Sequence, residues 1–238
     1  MEDSLKQKVK EIEKNIRDLQ ETNQKFKHEL ERLHAVNEIE NLMGRYEYFH
    51  AQRRKDKMVE LYAKKAPGVR FYLGEIGYWE GADAPERAHT VLSGGNNEEL
   101  HKGRIHLHPL TTPVIEVAGD GKTAKGVWIT VGMGIMPDPK NKGRFINQWT
   151  TSTYGVDFIK EDGKWKFWRF HIYRLLSNNF DQPFSDYEAD AKAGLSFPPE
   201  LRPDGPAVDD YPYRRSELVN FKPDPPEPFE TFDLKNIY

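Results

Sequence analysis

The chain has 238 residues, a formal net charge of −3 and no cysteine. The near balance of charge argues against a nucleic-acid partner, and the lack of cysteine excludes disulfides, thiolate metal sites and cysteine nucleophiles. No run approaches the ~20 apolar residues of a membrane-spanning helix, and the polar start MEDSLKQKVKEIEK contains no signal peptide. We therefore expect a cytoplasmic protein without a membrane partner.

The first 34 residues carry a heptad repeat. Apolar side chains alternate in steps of four and three, which is typical of a coiled-coil seam. One polar residue, Asn23, occupies an a position, where it would fix the register of the strands. The repeat predicts an oligomerisation helix over 1–34 that joins two or three copies of the chain. The alternative is an amphipathic helix packed on its own domain. The heptad residues are Leu5, Val9, Ile12, Ile16, Leu19, Asn23, Phe26, Leu30 and Leu33.

Residues 35–178 have the pattern of a globular α+β domain. The segment VNEIENLMGRYEYFHAQRR keeps helical spacing, and DKMVELYA and DAPERAHTVLS predict two shorter helices on either side of a small β-hairpin. Long strands are predicted at about 103–118, 123–136 and 144–160, followed by KWKFWRFHIYRLLS. The turns AGDGK and KEDGK indicate hairpins. Because helices precede an antiparallel meander, the order is not that of repeated βαβ units.

The last segment, 179–238, is rich in proline and aromatic residues. It holds ten of the sixteen prolines, so it is not expected to build regular secondary structure. Its many aromatic side chains are unusual for a free tail. We expect an extended arm that packs over its own domain or over a neighbouring subunit.

Three motifs of the middle segment resemble the SnoaL-like branch of the nuclear-transport-factor-2-like superfamily. They are IENLMGRYEYFH, TTPVIEVAGDGKTAKGVW and VDFIKEDGKWKFWRFHIYR, and the resemblance covers about residues 35 to 180. It implies a cone-shaped, strongly bent antiparallel sheet wrapped around the helices. Members of this superfamily include isomerases, cyclases, dehydratases and lyases that need no cofactor, and also proteins that only bind or assemble. The sheet also offers a second surface for oligomer contacts.

Within that superfamily the chain is similar to the bile-acid 7α-dehydratases. This similarity implies a pocket tyrosine at Tyr46 and a pocket arginine at Arg174. The nearest match to the family histidine is His108. Two acids of that family are replaced here by Ala51 and Gly132, so dehydration by the same set of groups is not implied.

The candidate catalytic groups are imidazoles, a phenol and a guanidinium. His108 is the first choice as acid or base, because a neutral imidazole can carry a proton at physiological pH. His171, on the last strand, is a second candidate, although its parity is opposite to that of Arg174. Tyr46 and Arg174 would stabilise negative charge on oxygen. The alternatives are that Tyr46 belongs to the core, that Arg174 forms a rim ion pair, and that His106 and His108 lie on the outer face.

The remaining candidates would bind the substrate. An aromatic lining suits a flat hydrophobic aromatic or polycyclic molecule, although core packing would explain some of the same residues. No histidine spacing typical of a metal site and no cofactor motif is present, so neither a metal nor a cofactor is expected. The predicted function is a cofactor-independent lyase that eliminates water or a small carbonyl fragment; the alternatives are an isomerase or cyclase, or a non-catalytic binding or assembly protein. The candidate binding residues are His50, Tyr78, Trp79, Trp128, Trp149 and Phe170.

Overall fold

The structure is a computed structural model that describes residues 2–74, 76–93, 98–138, 140–186, 197–207 and 212–238. Four helices lie at Glu2–Ala51 (α1), Lys55–Val59 (α2), Ala84–Ser93 (α3) and Glu98–His101 (α4). Seven strands lie at Arg70–Leu73 (β1), Gly77–Glu80 (β2), Ile105–Leu107 (β3), Leu110–Val117 (β4), Thr123–Pro137 (β5), Phe145–Glu161 (β6) and Lys164–Asn179 (β7). Short 3₁₀ turns occur at Phe184–Asp186, Pro199–Leu201 and Leu234–Asn236.

Helix α1 runs without a break from the heptad segment into the globular domain. Its apolar heptad side chains, from Leu5 to Leu33, are between 47 % and 70 % exposed, so they do not pack on the rest of the described chain. Contact with the domain is made instead by other positions: His28 Nε2 lies 2.6 Å from the Gly119 carbonyl oxygen, and Arg32 donates to the Val117 carbonyl. The interpretation of this stripe as a helix face packed on its own domain is therefore wrong.

The strands form one bent sheet in the order β2-β1-β7-β6-β5-β3, and β4 also pairs with β5. All neighbours are antiparallel except β1 and β7, which run parallel. Both predicted hairpins are present, at the β4–β5 and β6–β7 turns. The α+β class and the bent sheet around N-terminal helices are thus confirmed.

The predicted single strand at 103–118 is in fact two strands. Pairing with β5 stops after Leu107, and β4 begins at Leu110. Pro109 has no N–H to donate to a ladder, which explains a break at this point. A further register shift occurs between Thr111 and Val114, where Thr112 has a φ of 48°. The segment around His108 is therefore not held in regular pairing with β5.

The concave face of the sheet packs on α1, α2 and α3 through aromatic side chains. Tyr46, Phe167 and Phe170 are fully buried there and contact one another, with ring centroids 4.7 to 5.5 Å apart. Burial of such rings removes a large apolar area from water, which is the main stabilising contribution to the fold. The concave face at the C-terminal end of α1 carries polar groups instead.

The convex face is covered in part by the end of the proline-rich segment. Phe232 packs on Trp168 with ring centroids 4.6 Å apart, and Tyr238 donates its backbone N–H to Asp157. Asp157 is fully buried beneath it and accepts a 2.8 Å hydrogen bond from Lys125. The arm therefore shields a buried ion pair on the outer side of the sheet. In the described part of the chain, every helix is too short or too polar to cross a membrane.

Candidate functional site

Three histidines converge where α1 ends against the concave face. His50 lies in the last turn of α1, and His106 and His108 lie on β3 and just after it. The Nε2 atoms of His106 and His108 are 2.8 Å apart, and the His50 ring centroid is 4.9 and 5.4 Å from those of His106 and His108. His106 and His108 thus share one face, as their spacing predicts, and it is the inner face. We call these three residues the histidine cluster.

A glycine makes room for the histidine cluster in the sheet. On β5, Gly134 pairs with His106, and Gly132 lies two residues earlier on the same face. A Cβ atom on Gly132 would lie 2.4 Å from His108 Nδ1 and 2.5 Å from Thr150 Oγ1, both too close for real contacts. The His108 ring therefore occupies the space that a side chain at position 132 would need.

The contact between His106 and His108 leaves one unsatisfied ring nitrogen on each residue. Since one Nε2 must donate and the other accept, one ring is protonated at Nδ1 and the other has a lone pair there. Both Nδ1 atoms are buried and make no hydrogen bond. Whichever tautomer is present, the pair presents one unmet donor and one unmet acceptor.

A carboxylate and two tyrosines adjoin the histidine cluster. Glu47 Oε2 is 3.6 Å from His50 Nδ1, and both side chains are nearly buried. Burial raises the pKa of Tyr154 well above its usual value, and the Glu47 carboxylate, to which the phenol hydrogen-bonds, raises it further. Burial and the charge of Glu47 also raise the pKa of Tyr46. Both phenols therefore stay protonated and can donate hydrogen bonds.

Burial and nearby positive charge keep His106 and His108 neutral. Burial lowers the pKa of His108 to about 3, and His50, Arg174 and Arg53 lower it in the same direction. Burial lowers the pKa of His106 as well, with the same three groups contributing. The lone pairs of His106 and His108 are therefore free at neutral pH, and the lowered pKa makes each ring a weaker base than a solvated imidazole.

Buried polar atoms without partners are concentrated at this place. A native interior rarely leaves such atoms unpaired, and each of them needs a partner that a ligand or water can supply. Their grouping on one face indicates a binding site. The atoms are His50 Nδ1, His106 Nδ1, His108 Nδ1, Glu47 Oε1, Arg53 Nη2, Thr130 Oγ1 and Thr150 Oγ1.

Four of the residues predicted from the sequence lie on the concave face with His108. Tyr46 stacks on His50 with ring centroids 6.0 Å apart, but its ring also belongs to the core. Arg174 follows the apolar row of β7 and is half-buried, with its charge acting on both His106 and His108. Phe170 packs between Tyr46 and Tyr154, and Trp128 pairs across strands with Tyr154.

His171 is not brought together with the cluster. It lies on the opposite face of β7, where it stacks on Tyr72 and Tyr173 with centroids 4.6 and 3.7 Å apart. The β6–β7 register is regular from the Asp157–Arg169 pair to the Ser152–Arg174 pair, and the shifts lie outside this range. No β-bulge therefore turns His171 inward, which contradicts its role as a second base in the pocket.

Three predicted lining residues also lie away from the histidine cluster. Tyr78 contacts Tyr72, on the same outer side as His171, and lies over Arg70. Trp149 stacks on Phe180 at the far end of β6, with the opposite parity to Thr150. Trp79 is core: it is fully buried, and its Nε1 donates to the Leu201 carbonyl. Strand membership was predicted for them, but not the face that each side chain occupies.

Sequence reasoning missed three residues of the site: Glu47, Arg53 and Tyr154. Glu47 could have been found, because it precedes His50 by three residues and therefore shares its helix face. Tyr154 could have been found only from the register of β6 against β5. Arg53 follows the end of α1 in the left-handed region, with a φ of 58°, and no local pattern indicates that conformation.

The histidine cluster is a loose candidate for a metal ion. One ligand atom from each ring lies within 4.8 Å of the others, whereas two nitrogen ligands at about 2.0–2.1 Å from one zinc ion lie at most about 4 Å apart. The Glu47 carboxylate beside His50 resembles the outer hydrogen-bond acceptor of such sites. The charges of Arg53 and Arg174, which act on the same rings, oppose the entry of a dication. The three rings are spaced more widely than a bound metal ion requires, and the local electrostatics favour an anion.

Gly132→Ala is expected to destabilise the protein by about 1–3 kcal/mol, because the added methyl group must displace the His108 ring or Thr150. The matched control is Gly44→Ala in the middle of α1, where the added Cβ meets nothing within 4 Å. That change should stabilise the helix by up to about 1 kcal/mol. Urea denaturation of both variants measures the difference, and equal effects would show that Gly132 is not tightly packed.

Comparison with known proteins identifies the family. The model of the SnoaL-like domain matches residues 31–171, more than half of the chain. No curated protein sequence matches. Among solved structures, LinA is 13 % identical, with 72 % of this chain and 99 % of LinA covered and a TM-score of 0.51.

Two further solved structures share the fold. A hexachlorocyclohexane dehydrochlorinase, LinA-type3 from Novosphingobium barchaimii LL02, is 15 % identical over 72 % of this chain and 99 % of its own, with a TM-score of 0.50. An NTF2-like protein with a cystatin-like fold from Novosphingobium aromaticivorans is 19 % identical over 71 % and 94 %, with a TM-score of 0.45. At these identities the likeness concerns the fold alone. On the match of the domain model, the chain belongs to the SnoaL-like domain family.

Proposed function

We propose that the protein is a lyase that works by acid–base catalysis without a cofactor on a small hydrophobic aromatic or polycyclic molecule. The observation that carries the proposal is the convergence of unpaired imidazole, carboxylate and guanidinium groups on the inner face of a SnoaL-like fold. These groups can move a proton and stabilise an oxyanion by themselves. One of the solved structures with this fold is named a dehydrochlorinase, and an elimination reaction in this site is compatible with that name.

In the proposed reaction, His108 is the base. In the tautomer in which its Nε2–H is donated to His106, His108 Nδ1 has the lone pair that accepts a proton from substrate carbon. Because Nδ1 lies against Gly132, the His108 ring must turn about its Cβ–Cγ bond for the substrate to reach this atom. The electrons of the broken C–H bond form a double bond, and the leaving group departs from the neighbouring carbon. The imidazolium that forms is stabilised by the His106 lone pair. As the leaving oxygen departs it takes a proton from Tyr46 or Tyr154, so that water is released, and the proton held by His108 restores the phenol. Arg174 stabilises charge on a carbonyl or phenol oxygen.

The proposal is tested with phenolic compounds that carry a hydroxyl or a hydroxymethyl group β to an acidic C–H. Loss of water creates a conjugated double bond, which is followed by absorbance, whereas cleavage of a hydroxymethyl group releases formaldehyde and leaves a C–H bond. Mass spectrometry identifies the products of both reactions. We expect turnover by protein dialysed against a chelator and a loss on the order of 10²-fold in Arg174→Met. Binding of these compounds without any turnover would instead support a non-catalytic binding protein.

We further propose that the exposed heptad stripe joins two or three copies of the chain. Ile12→Asp combined with Ile16→Asp should dissociate the oligomer, because charges in the seam lose their apolar contacts. Lys14→Asp combined with Arg17→Asp is the matched control, since these residues lie outside the a and d positions. Light scattering of the three proteins gives their masses, and a monomeric parent chain would contradict the coiled coil.

A further inference from the structure

Arg53 is a buried cation without a partner in the described part of the chain. Only 9 % of its surface is exposed, and its Nη2 atom makes no hydrogen bond. The acids close to it in sequence are engaged elsewhere: Glu47 with His50 and Tyr154, and Asp56 with Arg54. An uncompensated buried charge is among the most unfavourable features that a fold can contain. A missing anion would explain it.

The backbone of Arg53 carries a second unfavourable feature. Its φ of 58° is in the left-handed region, which costs a non-glycine residue about 1 kcal/mol or more. The turn that α1 makes here is closed by the Arg53 N–H, which donates to the His50 carbonyl oxygen at 3.0 Å. The turn therefore ties the position of the guanidinium to the last residues of α1, including His50. Strain and an unpaired charge at one residue are typical of a position selected for binding rather than for stability.

The surroundings of Arg53 are positive. Burial lowers the pKa of Arg53, and the nearby charge of Arg104 lowers it further. The charges of Arg53 and Arg174 both reach His106 and His108. The His106–His108 pair adds an unmet Nδ1–H donor, as derived above. A guanidinium and an N–H donor in an electropositive, largely desolvated place form a receptor for an oxyanion.

We propose that Arg53, together with the His106–His108 pair, binds an anionic oxygen group of the substrate, such as a carboxylate on an aromatic body. The assignment rests on the proposed function for the location of the substrate, and it narrows the substrate class from hydrophobic aromatic molecules to anionic ones. The anion would compensate the charge of the buried guanidinium. It would also accept a hydrogen bond from the Nδ1–H of the His106–His108 pair. Arg174 keeps the role proposed above, which is to stabilise charge that develops during the reaction.

The test compares benzoate with its neutral isostere benzamide by isothermal titration calorimetry on the full-length chain at neutral pH. We expect benzoate to bind more tightly than benzamide, and Arg53→Met to weaken benzoate binding by on the order of tenfold or more. The matched control is Arg54→Met, the adjacent arginine, whose side chain is half-exposed and paired with Asp56. Arg54→Met should bind benzoate like the parent chain.

Thermal unfolding without ligand gives an independent readout. Arg53→Met should raise Tm, because it removes an unpaired buried charge, whereas an arginine with a purely structural role would lower Tm when replaced. Equal binding of benzoate and benzamide, or unchanged benzoate binding in Arg53→Met, would overturn the anion site. Because neither measurement needs turnover, benzoate binding through Arg53 in a protein that catalyses no elimination would refute the lyase proposal and leave this one standing.

Discussion

His108→Ala is expected to lower turnover by on the order of 10²-fold or more, the usual scale for loss of a general base. The fold should survive, because the ring faces a polar site rather than the aromatic core. His106→Ala should also lower turnover, since His106 Nε2 lies 2.8 Å from His108 Nε2 and would hold the imidazolium that forms.

The control for these two variants is His34→Ala on the exposed surface of α1, which should leave turnover unchanged. Steady-state rates on any compound that the parent chain converts, with oligomer mass checked for each variant, complete the experiment. Near-normal turnover in both His108→Ala and His106→Ala would remove imidazole catalysis from the mechanism. A phenol or the Glu47 carboxylate would then be the remaining candidate base.

Stability should fall steeply as the pH is lowered from about 7 to about 5. Burial lowers the pKa of His89, of His108 and of His171 to about 3 in each case. The unfolded chain, with histidine pKa values near ~6.5, binds protons in this range that the folded chain does not. The free energy of unfolding therefore decreases as the pH falls below ~6.5, by about 2 kcal/mol for each histidine at about pH 5 and by on the order of 5 kcal/mol in total.

His171→Phe isolates one of these contributions without touching the histidine cluster. His171 is buried between Tyr72 and Tyr173, so an aromatic replacement keeps the stacking. Urea denaturation over this pH range, at fixed protein concentration, should show a slope lower by about 1.4 kcal/mol per pH unit in the variant. Identical slopes in the parent and the variant would mean that His171 titrates alike in the folded and unfolded chains.

The sequence predicts the elements of this fold better than the faces of its strands. Both long hairpins could be predicted from the turns AGDGK and KEDGK, because glycine at the turn and alternating apolar residues are local signals. Pro109 is a local signal for a break in a strand, whereas the register shift between Asp157 and Phe158 depends on a partner strand. Each shift reverses which side chains face inward.

The same limit explains what could be predicted of the site. His108, Tyr46 and Arg174 were found because a family resemblance supplied the inward face. Trp149 was misplaced because aromatic composition alone does not distinguish the two faces of β6. Arg53 was missed because its significance lies in an absent partner, and only three-dimensional burial reveals an absence of that kind.

The continuity of α1 places the proposed coiled-coil seam and the candidate site on one helix. The helix has 50 residues, which corresponds to a length of about 75 Å. The heptad ends at Leu33 and the first buried core residue is Ala35, so no joint lies between them. One inserted residue there would rotate His50 by about 100° relative to the seam. Lineages that lengthen or shorten this helix should therefore do so in whole heptads, which preserve the helical phase between neighbouring sites.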